Sequence, residues 1–189
     1  MAKFFLPNPG FELGDRDWAK GAGWAIAKDL ATARSGSWRA IFTGASAAFI
    51  ETALLRPVRP GGKITLSAFF DGSIATAGTA RVYSRWFDKD GVFISETVGN
   101  AIAFGSGYSQ SAVTDSVAPD RAKLLRLSAL ITAPNGSTWR LDDFDASGDI
   151  IEVFPVTAKI QSHSMLLART IGRFDPLIGA DKFTEFNAG

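Results

Sequence analysis

Residues 63–70 alternate along the chain: Ile64, Leu66, Ala68 and Phe70 fall on one side, Lys63, Thr65 and Ser67 on the other. A period of two residues belongs to a strand with one buried face. The pattern returns over 80–87, where Val82, Ser84 and Trp86 oppose Arg81, Tyr83, Arg85 and Phe87. It returns again over 124–131, where Leu125, Leu127, Ala129 and Ile131 oppose Leu124, Arg126, Ser128 and Leu130. Shorter runs rich in β-branched and aromatic residues predict strands over 24–27, 38–42, 48–54, 93–98, 108–117, 139–145 and 150–154. Turn sequences such as Pro60-Gly61-Gly62, Asp71-Gly72 and Asp88-Lys89-Asp90-Gly91 separate them. Many short strands with no long helix between them predict an all-β fold, a two-sheet antiparallel jelly-roll sandwich over residues 1–154.

Past Pro155 the pattern changes. Ile160, Leu167 and Ile171 stand near helical spacing, which allows one short helix. Residues 173–189 have no period, yet they carry Phe174, Leu177, Ile178, Phe183 and Phe186. A linker would be polar or rich in Gly and Ser. Residues 155–189 are therefore expected to be a C-terminal extension that docks on a partner through Phe174, Leu177, Phe183 and Phe186.

Composition narrows the function. The 189 residues carry a net charge of +1 with no basic block, which argues against nucleic acid as partner. Cysteine is absent, so no disulfide or thiolate-bound metal is available. No run approaches the ~20 apolar residues of a membrane span, and the first residues are too short an apolar stretch for a signal peptide. His163 is the one histidine and lies outside the expected sandwich, leaving little material for a histidine-based triad. Asp88, Asp90, Asp142, Asp143 and Asp145 offer carboxylates for glycoside hydrolysis, but the first two sit in a hairpin sequence that favours Asp and Gly for backbone reasons. The chain reads as non-catalytic.

Three motifs, in order, resemble the galactose-binding-like sandwich of carbohydrate-binding modules of the family 4/9/22 type. They are Asn8-Pro9-Gly10-Phe11-Glu12 with Trp18, then Ala33-Arg34-Ser35-Gly36-Ser37-Trp38-Arg39-Ala40, then Trp139-Arg140-Leu141-Asp142-Asp143-Phe144-Asp145. The resemblance spans about residues 4–150 and implies a jelly roll of about eight to ten strands. It also implies a structural Ca²⁺ tying the N-terminal segment to the last strand, with Glu12, Asp142 and Asp143 as ligands. Hard carboxylate and carbonyl oxygens suit that ion. The apolar parity slips between Leu141 and Phe144, as at a bulge on the Asp142-Asp143 pair. The bland alternative satisfies these aspartates with Arg140, lysines or backbone N–H groups.

Sugars are recognised by aromatic faces with a few polar groups fixing orientation. Arg81, Tyr83 and Arg85 on one strand face, with Trp86 and Trp18, are the candidate partner-binding residues. An Arg/Tyr face suits a protein contact as well. Two readings compete, and the first is favoured. In the first, the chain is a structural or recognition protein of a large assembly, such as a capsid decoration or tail protein displayed on a bacteriophage virion surface and homo-oligomeric. In the second, it is a carbohydrate-binding module or lectin-like protein that binds a cell-surface glycan. A small glycan-active enzyme is a distant third.

The extension yields a direct test. Exposed large apolar side chains cost about 1.5–3 kcal/mol each relative to burial, so an arm that docks between subunits should matter to assembly. A chain ending at Pro155 should melt near the full-length midpoint but fail to oligomerise in analytical ultracentrifugation. Normal assembly, or insolubility, would show that the extension is dispensable or belongs to the fold.

Overall fold

The computed structural model describes residues 6–44, 46–132 and 137–149. Twelve strands build it: β1 (Trp18–Lys20), β2 (Trp24–Lys28), β3 (Trp38–Gly44), β4 (Ala48–Thr52), β5 (Arg56–Pro57), β6 (Lys63–Asp71), β7 (Thr79–Phe87), β8 (Phe93–Val98), β9 (Ile102–Ala103), β10 (Ser109–Val117), β11 (Leu124–Thr132) and β12 (Ser137–Gly148). One sheet has seven strands in the order β1-β4-β11-β7-β8, with β5 beside β11 and β9 beside β7. The other has five, ordered β10-β6-β12-β3-β2. Every recorded pairing is antiparallel. The expected all-β two-sheet sandwich is the observed fold.

The three alternating segments form β6, β7 and β11, and their apolar sides face inward. Leu66, Ala68 and Phe70 of β6 and Leu125, Leu127, Ala129 and Ile131 of β11 are fully buried. Together with Phe42, Ile50, Trp86, Trp139 and Leu141 they fill the space between the sheets, the interdigitated core expected of stacked sheets. The strand expected over 48–54 ends at Thr52. The three short strands β1, β5 and β9 were not foreseen, since two or three residues carry no readable period. The expected strand over 150–154 and the docking residues Phe174, Leu177, Phe183 and Phe186 lie outside the described residues.

Both N-terminal and C-terminal ends of the sandwich sequence meet at one corner. Asn8 is buried and ties the first loop together: its side-chain amide donates to the carbonyls of Gly14 (3.0 Å) and Arg16 (2.9 Å), and its Oδ1 accepts from the Leu13 N–H (3.0 Å). Trp18 Nε1 donates to the Asn8 carbonyl at 2.8 Å. Phe11 takes a left-handed backbone conformation (φ 61°) and is wholly buried. Its ring centroid lies 5.0 Å from Trp18, which lies 4.8 Å from Phe144 of β12. Asn8, Phe11 and Trp18 of the first motif thus form a core plug.

That plug corrects one expectation. Trp18 is 6% exposed and Trp86 1%, so neither presents an aromatic face to a partner. Trp86 shares the inward face of β7 with Val82 and Ser84. Trp18 begins an edge strand, but the loop before it and Phe144 enclose its ring.

Candidate functional site

Two regions gather the remaining candidate residues. The first is the outer face of the seven-stranded sheet. Cross-strand register aligns Glu51, Ser128, Tyr83 and Val98 in one row, with Phe49, Leu130 and Arg81 in a parallel row. A third row holds Arg126, Arg85 and Glu96. Arg85 reaches Glu51 at 3.0 Å and Glu96 at 3.5 Å, while Arg126 reaches Glu51 at 2.7 Å. The Arg85 guanidinium also lies 4.5 Å from the Phe49 ring centroid, a cation–π contact. Tyr83 packs edge-on to Phe49 at 5.4 Å and is only 9% exposed. Tyr83 therefore lies on the outer face but its ring is covered there, so it does not offer the aromatic surface expected of it. Burial raises its phenol above the ordinary value; nearby Arg81 opposes that rise and Glu96 adds to it.

An open groove lies at this face, between the turn Ala19–Ala22 and the start of β4 at Ala47–Phe49, with Glu51 and Arg85 also lining it. Arg85 thus belongs to the groove, whereas Arg81 and Tyr83 stand beside it on β7. Phe49, Glu51, Glu96 and Arg126 escaped the sequence reading. Their partnership depends on β4 and β7 flanking β11; Arg85 and Arg126 lie 34 and 75 residues from Glu51 in sequence. No local signal could have joined them.

The second region is the corner where β12 bulges. Register slips between Asp142 and Asp145, and Asp143 adopts φ 50°, a conformation Asp tolerates better than most residues. The slip anticipated at Asp142-Asp143 is thus a real bulge. Glu12, Asp142 and Asp143 each accept hydrogen bonds from residues 34–38 there. Asp142 Oδ2 accepts from the backbone N–H groups of Arg34 (2.9 Å) and Ser35 (3.3 Å), and its Oδ1 from that of Asp143 (2.8 Å). Asp143 accepts from the Arg34 guanidinium and the Ser35 hydroxyl. Glu12 Oε1 accepts from the N–H groups of Ser37 (2.7 Å) and Trp38 (2.9 Å). Gly36 sits at φ 61° against this carboxylate, and a Cβ there would stand 2.1 Å from Glu12 Oε1. A larger residue there would be strained at this φ and would push the Glu12 carboxylate aside.

Among the described residues, the one ion pair of these three carboxylates is Asp143 with Arg34. Negative charge is in excess. Burial, helped by the Asp143 charge, pushes Asp142 up to about 6 against its hydrogen bonds. No three acidic or histidine side chains among the described residues are grouped so as to hold a metal by themselves. A cation here would need main-chain carbonyls as further ligands.

No family model matches the chain, and no curated protein matches it. Solved structures do. TmCBM61, solved in complex with β-1,4-galactotriose, matches with a TM-score of 0.56 and 15% identity over 77% of this chain and 99% of its own. The C-terminal family 22 carbohydrate binding module of Clostridium thermocellum Xyn10B matches with a TM-score of 0.54 and 17% identity, over 78% of this chain and 93% of its own. This chain has the β-sandwich fold of carbohydrate-binding modules. A third match, at a TM-score of 0.58 and 15% identity, is the enzymatically active domain of bacteriophage CBA120 tailspike protein 4; it covers 77% of this chain but 21% of the tailspike domain. The carbohydrate-binding-module fold implied by three short motifs is therefore present, though identities this low speak to fold alone.

The bulge gives a pH prediction. A carboxyl whose folded pKa is raised favours folding most below its ordinary value of 3.8 and loses that contribution as pH rises through about 6. In chelator-containing buffer, Asp142→Asn should flatten the fall in melting temperature between about pH 4 and 6. An unchanged slope would mean that Asp142 titrates as an ordinary aspartate.

Proposed function

We propose that this sandwich is a non-catalytic glycan-recognition domain that binds sugar on the outer face of its seven-stranded sheet. The observation carrying this reading is the groove beside Phe49, where an aromatic ring, the Glu51 carboxylate and the Arg85 guanidinium meet on an open face. An aromatic body with a few fixed polar groups is the recipe for holding a pyranose in a set orientation. Recognition without hydrolysis fits the charges. Glycoside cleavage ordinarily needs two carboxyl groups, whereas Glu51 is the one carboxylate among the described residues lining the groove and is engaged by Arg85 and Arg126. Structures similar in fold include a module solved with β-1,4-galactotriose and a xylanase of joined CBM22-1 and GH10 modules complexed with xylohexaose, of which the match covers 27%.

A second reading rests on the tailspike likeness. The domain would then be a capsid or tail accessory protein on a phage virion surface, assembled as a homo-oligomer, and glycan binding would serve attachment. Neighbouring capsid and tail genes would favour it; neighbouring glycoside hydrolase genes would favour a module that serves an enzyme.

The bulge corner would serve either reading as a structural Ca²⁺ site. The donors are of the right kind, hard carboxylate oxygens from Glu12, Asp142 and Asp143 with surplus negative charge. Bound calcium would neutralise that charge and lock the N-terminal segment to β12.

Two measurements test these proposals. In affinity electrophoresis against a panel of soluble polysaccharides, the full chain should be retarded by at least one, and Phe49→Ala should weaken that retention about tenfold. A folded wild-type chain retarded by none would remove the glycan reading. For the metal, Ca²⁺ should raise the melting temperature over chelator, by the equivalent of about 2.7 kcal/mol at a hundredfold excess over Kd, and Asp142→Ala should abolish the difference. Identical midpoints in both buffers would exclude calcium.

A further inference from the structure

The guanidinium groups on the outer face of the seven-stranded sheet are not equivalent. Among the described residues, Arg85 pairs with Glu51 and Glu96, and Arg126 pairs with Glu51. Arg81, half-buried in the same face, pairs with no carboxylate among the described residues. A guanidinium that no carboxylate of the described residues engages is available to an anionic ligand.

Its position is as informative as the lack of a carboxylate partner among the described residues. Arg81 stands opposite Leu130, which stands opposite Phe49, so the three form one row across β7, β11 and β4. Neighbouring strands lie about 4.8 Å apart, which puts the Arg81 backbone about 10 Å from that of Phe49. A saccharide chain leaving the groove at Phe49 and crossing the strands would pass over Leu130 and meet Arg81. Tyr83, two residues along β7, adds a hydroxyl near enough to Arg81 for the cation to act on its ionisation. Arginine presents a planar fork that matches a carboxylate with two parallel hydrogen bonds, a fit that neutral hydroxyl groups do not reproduce.

We propose that the glycan bound on this face is acidic, and that Arg81 binds the carboxylate of a uronic-acid residue next to the sugar held beside Phe49. The inference rests on the glycan-binding reading and adds the substrate class and the residue that selects it.

The test compares each polyuronate with its own carboxyl-reduced form, which has the same backbone with alcohols in place of carboxylates. Polygalacturonate and alginate, their reduced forms and dextran sulfate would be run in affinity electrophoresis with the full chain at one ionic strength. At least one polyuronate should be retained at least about tenfold more strongly than its reduced form, the worth of a charge-assisted hydrogen-bonded contact. Arg81→Gln should bring that polyuronate down to the level of the reduced polymer while the melting midpoint holds. Arg81→Lys, which keeps the charge and loses the fork, should fall between, and serves as the deciding variant if Gln disturbs folding. Equal retention of acid and reduced forms, equal retention of dextran sulfate, or no effect of either variant would overturn the assignment and leave glycan binding standing. Retention of neutral glycans alone would do the same. Retention of no glycan of any kind would remove both.

Discussion

The bulge at Asp142 and Asp143 is the constraint on which this sandwich turns. One extra residue in the closing strand moves the inward parity by one place, so Trp139 and Leu141 before it and Phe144 and Ala146 after it all face the core. Without the slip Phe144 would point outward, and Phe11 and Trp18 would lose the ring that completes their cluster. The Pro9 carbonyl accepts a hydrogen bond from the Phe144 N–H at 3.0 Å, so the first loop and the last strand lock together at that same step. The bulge also leaves a carboxylate, Asp142, wholly buried on the other side of the strand. A buried charge must be met by donors, and the segment between β2 and β3 supplies them.

That segment sets the two outer faces apart. Over the five-stranded sheet, Arg34 lies 3.4 Å above the centre of the Phe69 ring, and the Tyr108 hydroxyl donates to the Thr32 carbonyl at 2.9 Å. Asp29 pairs with Arg39 at 2.5 Å, and Arg140 pairs with Asp71 at 2.6 Å; Arg39 and Asp71 are each 5% exposed. Charges this enclosed organise the fold more than they add net stability. Over the seven-stranded sheet, by contrast, the ion pairs around Glu51 sit beside an open groove. There Arg85 and Arg126 hold the Glu51 carboxylate beside the groove.

The strand pattern was readable because burial of one sheet face imposes a two-residue period on the sequence itself. Ile64, Leu66, Ala68 and Phe70 announced β6, and Val82, Ser84 and Trp86 announced the inner side of β7. The parity slip between Leu141 and Phe144 announced the bulge, again because inside and outside are written residue by residue. By itself the sequence thus determined the fold class, the main strands, and the short motifs of the carbohydrate-binding-module sandwich. What it could not convey was depth. Trp18 and Trp86 have the chemistry of sugar-stacking residues, but whether an indole is a surface platform or a core plug depends on what packs over it. Only the tertiary structure placed Phe11 and Phe144 around Trp18, covered part of Tyr83 with Phe49, and brought Glu51 between Arg85 and Arg126. The contacts of Glu51 with Arg85 and Arg126 cross from strand to strand over 34 and 75 residues of chain, and a strand's own period records which face a residue occupies but not which strand lies beside it.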